Sequence, residues 1–84
     1  MSKLTVNRKT YCDTNLIESA SGSVKAPNGT LVSVTLDLHT VLNASGDVSK
    51  WVFVAAMAGQ SRAMEFTTES QAREVLNTQK KFFV

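Results

Sequence analysis

His39, the one histidine of this chain, lies two residues after Asp37, and a carboxylate beside an imidazole is the pairing that tunes a general base. Ser33 and Cys12 are the nucleophiles that such a base would serve. The same spacing arises wherever polar residues alternate along a strand face, however. His39, Asp37 and Ser33 are therefore read as a solvated face, and the chain as no enzyme. No metal or cofactor site is expected. One His and one Cys cannot make up a zinc set, and Gly22, Gly29, Gly46 and Gly59 each stand alone near a turn, not in a phosphate-binding loop.

A second chemistry to weigh is the binding of single-stranded nucleic acid by a basic and aromatic sheet surface. Arg8, Lys9, Tyr11 and Lys25 are its candidate contacts, with Lys50 beside them. The balance is weak. Net charge is +2, basic and acidic residues are interspersed, and like charges never run beyond pairs such as Arg8-Lys9 and Lys80-Lys81. Trp51, Phe53 and Phe66 are assigned to the core instead. Nucleic acid is accordingly the alternative partner, and another protein the first.

These residues must be positioned by a single small domain, since 84 residues have room for one core, spanning 1–84. No apolar run approaches the ~20 residues of a membrane helix, and the first residues lack the apolar stretch of a secretory signal. With one cysteine and no internal disulfide to form, the expected location is the cytoplasm. Two glycosylation-type triplets begin at Asn28 and Asn43, where turns are expected on backbone grounds.

Turn chemistry organises the rest. Pro27-Asn28-Gly29, Asn43 to Gly46 and Gly59-Gln60 punctuate strands at Leu31–Leu42, Val48–Ala58 and Arg62–Phe66. In the first of these, Val32, Val34, Leu36 and Leu38 alternate with polar residues. A helix follows Phe66, capped by Thr68 with Gln71 three residues on, and carries an apolar stripe of Ala72, Val75 and Leu76. The tail Phe82-Phe83-Val84 either extends that stripe or adds an edge strand. Leu4 and Val6 alternate like a strand, whereas Asp13 to Ala20 read as a turn or a single helical turn. The fold class is α+β, a four- to five-stranded antiparallel meander with one C-terminal helix on one face.

Hairpin arithmetic predicts the faces. It sets Val24 opposite Val32, Leu38 opposite Trp51, and Phe53 opposite Phe66, and collects Val24, Val32, Val34, Leu36, Leu38, Trp51, Phe53, Met57, Met64 and Phe66 under the helix. A register one residue longer in both later loops would exchange the faces and bury Val52, Val54 and Ala56 instead. In the first register the opposite face presents Val52, Val54, Ala56, Ala58 and Ala63. That stripe is either a protein interface, symmetric dimerisation included, or a surface over which the N-terminal segment folds. The functional expectation is a non-enzymatic protein-binding module. Size and format are shared with complex subunits and with small accessory or inhibitor proteins of phages and mobile elements, such as anti-CRISPR proteins, and no residue chooses among them.

Overall fold

The computed structural model describes residues 3–84. Six strands precede one helix: β1 (Lys3–Val6), β2 (Lys9–Cys12), β3 (Thr14–Lys25), β4 (Leu31–Leu42), β5 (Val48–Met57), β6 (Gln60–Phe66) and α1 (Glu69–Lys80). The last four strands form an antiparallel meander in sequence order, and β1 and β2 form a separate hairpin. The α+β class is as expected. No helix among the described residues is long and apolar enough to cross a membrane.

Each turn follows from local chemistry. Gly29 adopts φ 88°, which completes the turn after Pro27, and Val24 pairs with Val32 as the hairpin rule requires. Asn43 Oδ1 accepts from the amides of Ser45 and Asp47, closing the β4–β5 loop. Thr68 caps α1, its hydroxyl accepting from the Gln71 amide, while Glu69 suits the positive helix start.

The two later hairpins differ from the expected pairing by two residues. Leu38 faces Phe53, and Phe53 faces Met64. In the first case Asn43 already pairs across the loop to Asp47, and an irregularity follows between Val41 and Leu42, beside Ser49, whose hydroxyl bonds the Val41 carbonyl. In the second, the turn is Ala58-Gly59 and not Gly59-Gln60. Both its residues have positive φ (51° and 79°), the primed geometry that matches strand twist. A slip of two leaves every side chain on its own face, so the expected faces survive although the partners change.

Asp13 to Ala20 are not a turn. From Thr14 onward they belong to β3, which runs along β4 with a bulge at Ile17. Arg73 of α1 binds both Glu18 of this strand (2.6 Å) and Glu69, four residues back on the helix. The tail also docks on β3: the Phe83 ring lies over Gly22, and the Val84 amide donates to the Ser23 carbonyl at 2.9 Å.

Two cores result. Under the helix lie Val34, Leu36, Leu38 and Phe53 with Ala72 and Leu76. On the other side the hairpin places Val6 and Tyr11 against Val41, Val52 and Val54, with Leu4 and Ala63 at the margin.

Candidate interaction surface

Of the two readings of the back of the sheet, the structure shows the one in which the N-terminal segment folds over it. Val52 and Val54 are buried against the N-terminal hairpin, Ala56 and Ala63 are half-buried, and Ala58 occupies the β5–β6 turn. The physical reason lies in the division of that face. Val41, Val52, Val54 and Ala63 make one apolar half, which the hairpin covers, while Ser19, Ser21, Ser23, Ser33, Thr35 and Asp37 make a polar half that needs no cover. Asn7, with φ 51° in the β1–β2 turn, fastens the hairpin by donating from Nδ2 to the Ser61 carbonyl at 2.7 Å.

The basic and aromatic candidates meet, but around a carboxylate. Glu65 accepts from Lys9, from Lys50 at 3.0 Å and from the Tyr11 hydroxyl at 2.5 Å, and both ammonium groups lie over the Tyr11 ring at 5.1 and 5.8 Å. The hydrogen bonds from Lys9, Tyr11 and Lys50 hold the Glu65 carboxyl down to about 2. Burial, reinforced by Glu65, raises the Tyr11 phenol, and the bond to Glu65 raises Lys9. At 6% exposure the Tyr11 ring offers no face for a base to stack on. Arg8 is in the β1–β2 turn and Lys25 at the end of β3, and neither joins this cluster.

His39 and Asp37 share the back face of β4, yet Asp37 accepts from Ser19 at 2.6 Å. Burial lowers the His39 pKa, against a smaller opposing pull from Asp37. Ser33 is six residues along the same strand, about 20 Å away at ~3.4 Å per residue, beyond any proton transfer between the two. Cys12 is exposed on β2, and no group of metal-ligating side chains forms among the described residues.

What sequence reasoning missed is on the helix side. Met57 and Met64 were expected in the core, but they are 45% and 50% exposed. A helix is ~10–12 Å across and twelve residues make it ~18 Å long, against a sheet ~19 Å wide whose central strands are longer. It packs over β4, β5 and the Phe66 end of β6 and leaves Met57 and Met64 exposed. Beyond its C-terminal end is a cleft of about 400 Å³, floored by Val34, Leu36 and Ala55 and walled by Met57, Arg62 and Phe82. A second recess, about 440 Å³, continues between β6 and α1 beside Met64, Phe66 and Val75. β6 is also a sheet edge. Because Met57 and Gln60 flank a two-residue turn they exchange both hydrogen bonds, and strict alternation then points the backbone groups of Ala63 and Glu65 outward.

No protein-family model, no curated protein and no solved structure matches the chain.

Proposed function

We propose that this chain is a non-enzymatic protein-binding module of the cytoplasm that engages its partner along the seam between β6 and α1. The observation that carries this reading is the pair of large apolar side chains, Met57 and Met64, left exposed beside the two recesses that run along α1. Phe82, 62% exposed, stands at the same cleft. Exposed apolar side chains beside recesses, rimmed by Gln60, Gln71 and Gln79, have the composition of a contact surface with a polar rim. Methionines suit such a surface because they adapt their shape to what they meet.

The back-to-back dimer loses its main support, since Val52 and Val54, the large residues of the stripe that motivated it, are packed under the hairpin. A nucleic-acid reading is also weakened, because its aromatic is buried and two of its lysines neutralise Glu65.

The test is affinity capture from the cell that makes the protein, comparing wild type with Met64→Asp. Met64 is half exposed, so the variant should fold normally by circular dichroism and lose the captured partner. A folded variant that retains its partner refutes the reading.

A further inference from the structure

β6 is the edge of the sheet that is left unprotected along its middle. The opposite edge, β3, is interrupted by the bulge at Ile17, and towards its end the Ser23 carbonyl already accepts the Val84 amide. On β6 the Ser61 carbonyl is occupied by Asn7. The outward amides and carbonyls of Ala63 and Glu65 have no partner among the described residues. Between them Met64 stands 50% exposed beside the recess that reaches α1.

Resting on the protein-binding reading above, we propose that the partner at this margin is a second copy of the chain, paired antiparallel along β6 about a two-fold axis at Met64. The free backbone groups select that register. A symmetric pair of β6 strands can be centred on Ala63, Met64 or Glu65. Centred on Ala63, it needs the Ser61 carbonyl that Asn7 holds. Centred on Glu65, it needs Thr67, which lies beyond the end of the strand. Centred on Met64, it bonds Ala63 of each copy to Glu65 of the other through both amides and both carbonyls. That register uses the free groups and no others.

The side chains agree with it. Met64 meets Met64 of the second copy across the axis, in the closer kind of antiparallel pair, so the half-exposed side chain is covered. On the same face Arg62 falls opposite Phe66 of the other copy, at the recess whose rim carries Glu74. On the back face Glu65 falls opposite Ala63, so no like charges meet, and Glu65 keeps Lys9 and Lys50. The helices leave room as well. Because α1 contacts β4, β5 and β6, its axis runs near β5, about one and a half strand spacings or ~7 Å from the two-fold. Two such helices stand ~14 Å apart, wider than the ~10–12 Å diameter of one, and the two recesses close against each other.

The experiment is analytical ultracentrifugation of the whole chain at about 100 μM, a concentration suited to so small an interface, where a dimer is expected. Ala63→Pro removes an outward amide without breaking a bond to β5. It should fold by circular dichroism and weaken the dimer about ten-fold or more, two backbone hydrogen bonds being lost. The register is read by a disulfide trap, which also decides the matter if Ala63→Pro fails to fold. Met64→Cys in a Cys12→Ser chain should cross-link two copies under mild oxidation about ten-fold faster than Ser33→Cys in the same chain. A wild type that stays monomeric, a folded Ala63→Pro that keeps the dimer, or a trap no faster at position 64 than at position 33 overturns the proposal. If the chain is monomeric while Met64→Asp still abolishes capture of a different protein, the second copy falls and the contact face stands. If Met64→Asp leaves capture intact, the face itself is wrong.

Discussion

Replacing Gly22 by alanine should destabilise this protein, and the same substitution should stabilise it once Phe83 is gone. A Cβ at position 22 would lie 2.5 Å from Phe83 Cδ2, 2.6 Å from Cγ and 2.9 Å from Cε2, against ~3.5–4.0 Å for an ordinary carbon contact. The ring must therefore leave its place by about 1 Å or more, and the Val84 amide, one residue on, loses its bond to Ser23. Phe83 is only half-buried, so about half of the ~1.5–3 kcal/mol of a fully buried large side chain is at stake. A further ~0.5–1.5 kcal/mol goes with the hydrogen bond. Alanine returns ~0.5–1 kcal/mol relative to glycine inside a strand. The net loss is about 1–2 kcal/mol in the wild type, whereas in the Phe83→Ala background Gly22→Ala gains about 0.5–1 kcal/mol. Urea unfolding followed by the fluorescence of Trp51, the sole tryptophan, measures all four corners of the cycle. The same effect in both backgrounds would refute the tail's docking on β3.

Ala58 has φ 51° at the first position of the β5–β6 turn, which costs an L-residue ~1–2 kcal/mol and favours asparagine before glycine. Ala58→Asn should therefore raise the urea midpoint by about 1 kcal/mol equivalent, and a lower midpoint would show that the turn is of another type. Glu65 falls in the folded chain from 4.5 to about 2, so its contribution is present above pH 4.5 and is lost as pH drops through the window down to about 2. Glu65→Gln should flatten that acid limb of stability, and an unchanged pH profile would show that the Lys9–Tyr11–Lys50 cluster does not hold in solution. Val54→Glu places an unpaired charge under the hairpin and should cost about 3 kcal/mol or more, seen as unfolding by circular dichroism. A folded Val54→Glu would mean that the hairpin does not cover the sheet.

The elements that announce themselves by local rules were legible. Period-two alternation marked Leu31–Leu42, proline and glycine marked the first hairpin, and Thr68 with Gln71 marked the helix start. The pairing partners were less so, because the bulge beside Ser49 and the Ala58-Gly59 turn each shift register without moving a side chain to the other face. The second half of β3 was legible through its pairing with Val32, but its first half was not, for a different reason. Its stretch Asn15 to Ser23 has little apolar alternation, since Ser19, Ser21 and Ser23 face water while Ala20 and Gly22 must be small to seat α1 and Phe83. Its strand character is imposed by pairing to β4, a tertiary effect that no propensity reports. The candidate site was half visible: Met57 and Met64 were on the correct face, but that the helix stops short of them depends on its length and placement. The role of Asn7 was invisible, as its bond spans residues far apart in sequence.

The central claim is that the β6–α1 margin, and not the rest of the surface, meets the partner. A photo-reactive phenylalanine introduced at Met64 or at Ser33 and irradiated in the cell that makes the protein tests this directly. Both positions are exposed, but Ser33 lies on the polar half of the opposite face. The account predicts a discrete cross-linked adduct from position 64 and none from position 33. An adduct from position 33 with none from position 64 would contradict it.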